Sequence, residues 1–247
     1  MAALQREVPS CPACGSTVRT RTIVHLLATE LFGAPVALPD FPVRRDITGI
    51  GLSDSEGYAS RLATRLGYRN TYFHAEPRLD ITEESTEQAG CYDFIIASDV
   101  FEHVAPPVSR AFANARRLLK PGGVLVFSVP FSLDPDTVEH FPELHEYCLL
   151  ESAGRWRLEN RTVDGRVQTF TELVFHGGPG STLEMRLFSR AALEREFAAA
   201  GFVRTRFANE AYLPYGIVWP EPWSVPVVTR APPADPAQSA SKGRAAG

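Results

Sequence analysis

Tyr92-Asp-Phe-Ile-Ile-Ala-Ser-Asp-Val-Phe-Glu-His-Val104 and, after a helical stretch, Leu118-Leu-Lys-Pro-Gly-Gly-Val-Leu-Val-Phe-Ser-Val-Pro130 decide the fold of this chain. Phe94 to Ala97 and Val124 to Val129 are unbroken apolar runs, the pattern of neighbouring parallel strands buried on both faces. Between them Val108, Phe112, Ala115 and Leu119 recur at helical spacing and predict a right-handed crossover packed on an α/β sheet. Ligands in such sheets bind beyond the carboxyl ends of the strands, which puts Ser98, Asp99, Glu102 and His103 where chemistry belongs. Pro121-Gly122-Gly123 reads as the turn into the second strand.

These stretches resemble the second half of the class I S-adenosylmethionine-dependent methyltransferases. In that family a strand ending in a turn of the form Asp-Val-Phe-Glu-His-Val is followed by a helix ending in Leu-Lys-Pro-Gly-Gly, and both stand here in order. Ser189, a helix carrying Leu193 and Phe197, and Ala200-Gly-Phe202 resemble the family's last helix and strand. The resemblance covers residues 46–131 and 182–210. It implies a Rossmann-like, doubly wound α/β fold: a mostly parallel sheet with helices on both faces. It also implies S-adenosylmethionine as cofactor and methyl transfer to a small or polar acceptor. Kinship with methyltransferase-like proteins found beside glycosyltransferases extends that to a carbohydrate-related acceptor. A noncatalytic methyltransferase-like scaffold is the alternative.

Upstream, Asp46-Ile-Thr-Gly-Ile-Gly-Leu-Ser-Asp54 reads as a strand opening into a polar turn. Tyr58, Leu62 and Leu66 mark a short helix stopped by Gly67, and Asn70 to Ile81 supplies the next strand and an acidic turn. Only about a dozen residues separate Asp80 from Tyr92, too few for a helical crossover and another strand. That spacing favours a register in which these are the family's second strand, its helix and the third strand. The family's first strand and glycine-rich loop then fall on Ala34-Pro-Val-Ala-Leu-Pro-Asp-Phe-Pro-Val43, which contains no such loop. Gly51 takes the place of the acid that holds the cofactor ribose, and Ser53 or Asp54 substitutes for it. In the competing register Gly49 and Gly51 are themselves the glycine loop. Asp80 matches the acid near the adenine, and Ser98 and Asp99 match the turn lining the cofactor. Local roles compete: Asp54 as a helix start, Asp80 as a turn cap, and Glu102 and His103 as the shape of a helix entry.

Glu139-His-Phe-Pro-Glu-Leu-His-Glu-Tyr147 follows the second strand. Its His140 and His145, with His103, are the candidates for acceptor contacts or general-base work. Two runs between Arg155 and Phe175, joined by Asp164-Gly165, predict a β-hairpin inside an insertion at 132–181. His176-Gly-Gly-Pro-Gly180 reads as a connector without phosphate-loop spacing. The domain reading is 1–45 as an N-terminal segment with a helix, 46–230 as the methyltransferase-like domain, and 231–247 as a disordered tail.

Composition bounds the function further. The chain has 247 residues, 25 basic and 29 acidic, with a net charge of -4 and no basic patch for nucleic acid. No run is long and apolar enough for a membrane span and no secretory signal is visible, so the expected location is cytoplasmic. Cys11-Pro-Ala-Cys14 supplies half of a zinc knuckle, and with Cys91 and Cys148 isolated, no metal is assigned.

Overall fold

The computed structural model describes residues 6–84, 86–178 and 180–234. Helix α1 (Val18–Phe32) starts at Thr17, whose side chain accepts from the Thr20 N–H, and stops at Gly33, left-handed at φ 68°. Then come β1 (Arg44–Leu52), α2 (Glu56–Arg65), β2 (Leu66–Thr71), β3 (Tyr92–Ser98), α3 (Ser109–Leu118) and β4 (Leu119–Ser128). The insertion carries β5 (Phe131–Ser132), β6 (Val138–Glu139), β7 (Glu146–Ser152), β8 (Arg155–Arg161), β9 (Val167–Phe170), β10 (Phe175–His176) and β11 (Thr182–Leu183). Strand β12 (Arg186–Ser189), α4 (Arg190–Ala199), β13 (Val203–Phe207) and β14 (Val227–Arg230) follow, the last of the elements among the described residues.

The main sheet has six strands in the order β13-β14-β4-β3-β1-β2. Its β2, β1, β3 and β4 run parallel, and β14 is antiparallel to both neighbours. Alternation along the strands divides the core between two faces. Phe94, Ile96, Val124 and Val126 pack with Ile23, Leu26 and Leu27 of α1 and Tyr58 and Leu62 of α2. Ile95, Ala97, Leu125 and Phe127 pack with Phe112 of α3 and Leu193 and Phe197 of α4. Helices therefore cover both faces, as the apolar runs predicted, and α1 of the N-terminal segment is one of the covering layers.

The strand order corrects the favoured register. Strand β1 pairs directly with β3, Gly49 opposite Phe94 and Leu52 opposite Ala97, while β2 lies at the edge beyond it. Asp46 to Leu52 thus holds the position of the family's first strand, and Gly49-Ile-Gly51 is its glycine segment. Ala34 to Val43 contains one 3-10 turn, Leu38–Asp40, and no strand. The spacing argument failed because the third-strand position is reduced to a single parallel bridge, Tyr72 with Arg78, after which turns carry the chain to β3. Gly67 is likewise no helix stop. It lies in β2, where a Cβ would stand 2.6 Å from the Arg45 carbonyl oxygen.

The hairpin about Asp164-Gly165 forms as predicted, with β7 added to make a three-stranded antiparallel sheet. The Pro121-Gly122-Gly123 turn lies inside β4, with Gly122 at φ 76° beside a register shift against β3. Pairing continues past Arg230: the buried Ala231 donates to the Gly123 carbonyl at 2.8 Å and Pro232 accepts from Gly122 at 2.9 Å. The expected tail therefore does not begin at 231, and 235–247 lie outside the described residues.

Candidate functional site

The chain runs from β1 outward to β2 and returns to β3 on the other side of β1, so the sheet's switch point lies between β1 and β3. Two loops meet there, one after Leu52 and one after Ser98.

The first loop is knitted into the protein. Asp54 is buried, and its two carboxylate oxygens accept from the Tyr58 and Tyr68 hydroxyls, each at 2.7 Å. Desolvation pushes its pKa up to about 7 against those hydrogen bonds. A Cβ on Gly51 would stand 2.0 Å from the Tyr68 hydroxyl and 2.1 Å from Asp54, and one on Gly49 would enter the Phe94 ring at 2.3 Å. Gly49 and Gly51 are thus required by packing on that face. Asp54, expected to hold the ribose, is enclosed instead because both its oxygens are taken. Ser53 adopts φ 55°, a left-handed conformation that favours glycine, and its N–H donates to the Thr71 carbonyl at 2.7 Å.

The second loop is charged. Asp99, also left-handed at φ 56°, donates its N–H to the Ser128 carbonyl at 2.7 Å. Its carboxylate accepts from Arg6 at 2.6 and 2.9 Å and from Ser128 Oγ at 3.0 Å, with Arg19 Nε at 3.3 Å. Burial raises its pKa, but Arg6 and Arg19 outweigh burial and hold the group below the usual carboxylate range. Ser98 Oγ pairs with Ser128 Oγ at 2.9 Å and accepts from Arg19.

The chain then makes one 3-10 turn, Phe101–His103, anchored by the buried Phe101 ring 4.9 Å from Phe112 and 5.1 Å from Phe127. That anchor carries Glu102 inward. Its side chain is 0% exposed, and among the described residues neither carboxylate oxygen has a hydrogen-bond partner. Desolvation, reinforced by the charge of Asp99, drives its pKa well above the ordinary value. His103 Nδ1 meets the Leu183 carbonyl at 2.8 Å, and its Nε2 lies 3.7 Å from Glu102 and 3.1 Å from His176 Nδ1. Burial lowers the His103 pKa, so the ring is neutral near pH 7. His176 Nε2 reaches Glu184 at 2.9 Å, and the other oxygen of Glu184 reaches His140 Nε2 at 2.8 Å. A continuous line of titratable groups, Glu102, His103, His176, Glu184 and His140, therefore links the β3 loop to the insertion.

Of the predicted residues, Ser98, Asp99, His103 and His140 come together around this loop. His145 does not: it is exposed, with its backbone N–H donating to Asn160 at 2.8 Å, because β7 leads away into the hairpin sheet. Asp80 caps a turn, accepting from Thr82 N at 2.8 Å and Thr82 Oγ1 at 2.7 Å. His176 and Glu184 were missed. The available signals were a histidine opening a glycine-rich bend and an acidic residue, followed by Arg186, within an otherwise apolar strand. Arg186 is itself buried and ties the loop down through the Phe101 and Val104 carbonyls at 3.1 and 2.6 Å.

A cavity of about 790 Å³ lies between Cys11–Gly15, α1, the start of α2 and Pro214–Gly216. It borders the first loop through Ser55 and Tyr58, and its walls include none of Ser98 to His103. Among the described residues the cluster with metal-ligand spacing is Glu102, His103 and His176, without the Cys11 knuckle. No helix of the described residues is long and apolar enough to cross a membrane.

Residues 41–205 match the family described as Methyltransferase domain. A ubiquinone biosynthesis O-methyltransferase of Bordetella avium (strain 197N) is 37% identical over 83 residues, 34% of this chain and 33% of that protein. The hybrid PKS-NRPS synthetase xenE of Xenoacremonium sinensis is 52% identical over 48 residues, 19% of this chain and 1% of that protein. The chain thus spans a third or less of these curated relatives. Among solved structures, the sugar N-methyltransferase KedS8 from Streptoalloteichus sp ATCC 53650 is 14% identical with a TM-score of 0.47, covering 94% of this chain and 97% of that one. Because the family match spans well over half of the sequence, this chain belongs to the methyltransferase-domain family of the class I, S-adenosylmethionine-dependent type.

Proposed function

We propose that this protein transfers a methyl group from S-adenosylmethionine to a small polar acceptor, carbohydrate-related in the narrower form of the reading, at the carboxyl end of β3. The observation that carries this is the charged loop at the switch point: Asp99 paired with Arg19 beside a buried Glu102 and His103. The residues fit the cofactor's amino-acid end, which is a zwitterion: a carboxylate and a guanidinium 3.3 Å apart offer partners for its ammonium and its carboxylate. With β1 in the first-strand position, β2 takes the second, and the acid following its end is the exposed Glu76. Glu76 therefore replaces Ser53 and Asp54 as the partner for the ribose hydroxyls.

S-adenosylmethionine supplies an electrophilic methyl on a sulfonium, and what remains for the protein is alignment and handling of the acceptor proton. Ser98 and Asp99 orient the cofactor. The line from Glu102 to His140 receives the acceptor, with Phe101 and Arg186 fixing the loop that bears it.

One observation favours a second reading, a noncatalytic scaffold: Arg6 already neutralises Asp99. Calorimetric titration with S-adenosylmethionine and S-adenosylhomocysteine decides between them. The enzyme reading expects micromolar binding, about -8 kcal/mol, weakened at least about tenfold in Glu76→Ala and in Asp99→Asn. No heat, and no thermal shift at millimolar ligand, overturns it in favour of the scaffold.

A further inference from the structure

Two imidazoles and a carboxylate converge beside the β3 loop. The Nε2 of His103, the Nδ1 of His176 and a Glu102 oxygen all lie within 4.8 Å of one another. The hydrogen bonds on the far sides of the two rings fix what the near sides offer. His103 Nδ1 sits 2.8 Å from the Leu183 carbonyl, which only accepts, so that nitrogen carries the hydrogen and Nε2 carries a lone pair. His176 Nε2 sits 2.9 Å from the Glu184 carboxylate and donates to it, which leaves the lone pair on Nδ1. The two facing nitrogens are 3.1 Å apart, so two lone pairs point at each other, next to a Glu102 carboxylate whose buried oxygens have no donor among the described residues. Such an arrangement is repulsive unless a cation or a proton is shared among the three groups.

We propose that Glu102, His103 and His176 bind one divalent transition-metal ion of the zinc class. With ligand distances of about 2.0–2.1 Å, nitrogens this far apart act as neighbouring ligands subtending roughly 100° at the ion. Two imidazoles and one carboxylate form a borderline donor set that selects zinc, cobalt or iron(II) over magnesium and calcium, which require oxygen. Three protein ligands leave a position open, the mark of a catalytic site rather than a structural one. Both histidines are oriented from behind, His176 by Glu184 and His103 by the Leu183 carbonyl, as ligating histidines commonly are. The site has a way in, because the His176 side chain is 38% exposed while Glu102 is fully enclosed. It deepens the methyltransferase reading by placing an ion where the acceptor is received, but the site itself does not depend on that reading.

The test is titration of the chelator-treated full chain with Zn²⁺ and, in parallel, Co²⁺. A Cys11→Ser/Cys14→Ser background removes the paired thiolates of the knuckle from competition, and the isolated, exposed Cys91 and Cys148 are changed to Ser with them. The expected result is one equivalent bound at micromolar or tighter affinity, and a Co²⁺ spectrum with visible ligand-field bands but no thiolate charge-transfer band. Affinity drops at least about tenfold in Glu102→Gln and in His176→Ala, since losing even a partner that orients a ligand from behind costs about that much. Thermal unfolding of the metal-free variants confirms that each is folded, and the near-isosteric Glu102→Gln stands in where His176→Ala is not. Stoichiometric binding that both variants retain, or no binding, overturns the site and leaves a proton shared between the two rings. Binding of S-adenosylmethionine, measured separately on metal-free protein, distinguishes the two failures: cofactor without zinc sinks only this inference, and zinc without cofactor sinks only the methyltransferase reading.

Discussion

The loops after β1 and after β3 meet at the same switch point, yet they use buried carboxylates in opposite ways. Asp54 in the first is enclosed by two tyrosine hydroxyls, and the glycines beside it are filled in by Phe94, Tyr68 and Asp54 itself. Glu102 in the second is enclosed with no donor among the described residues, beside the imidazoles of His103 and His176. A buried carboxylate with its hydrogen bonds made is part of the scaffold. One without them is a cost that the surrounding core must offset, and such groups cluster where chemistry is done.

The largest test of that contrast is the anchor of the second loop. Phe101→Ala removes a fully buried ring from a cluster with Phe112 and Phe127, and should cost about 3–5 kcal/mol by chemical denaturation. A loss under about 1 kcal/mol would mean that the core does not hold Glu102 in place.

Next comes the pH dependence of the first loop. Asp54 titrates near 7 when folded against 3.8 as its ordinary value, so between these limits the folded state holds a proton that the unfolded state has released. Stability therefore falls as pH rises through that window, by up to about 1.4 kcal/mol per pH unit, and the loss is complete above it. The gap between denaturation midpoints at pH 4.5 and 8 should narrow in Asp54→Asn, with the raised Glu102 retaining a share of the same sign. An unchanged gap would place the titration elsewhere.

The two loops should then respond with opposite signs. Gly51→Ala forces a Cβ against Tyr68 and Asp54 and should destabilise by about 1–3 kcal/mol. Glu102→Leu relieves an unsatisfied buried carboxylate and should stabilise the metal-free protein by a similar amount, about 1–3 kcal/mol. If both destabilise equally, the distinction between scaffold and site fails. The smallest effect belongs to Ser53→Gly, which removes strain at φ 55° and should raise stability by about 1 kcal/mol or less, read as a shift in denaturation midpoint.

How much of this was legible depended on range. Phe94 to Ala97, Val124 to Val129 and the Val108–Phe112–Ala115 spacing gave the sheet and its crossover because a strand buried on both faces and a helix with one apolar face leave local signatures. Ser98, Asp99 and His103 followed from the same segment. The register of β1 did not, since a parallel strand's neighbour is chosen by packing across the sheet, and the spacing clue came from a third strand that had shrunk to one bridge. Asp54 was misread because the turn looks the same whether its carboxylate meets a ligand or two tyrosines, one of them 14 residues away.

By itself, then, the sequence determined the α/β class, the family, the β3–α3–β4 unit and the loop after β3 that carries the candidate site, because each is written in local periodicity and turn chemistry. Tertiary structure alone decided that β1 stands beside β3, that Asp54 and the glycines are packing, and that His176, 73 residues from His103, and Glu184 complete the Glu102 cluster. Contacts of that span are set by how the insertion folds back onto the sheet, and no local pattern encodes them.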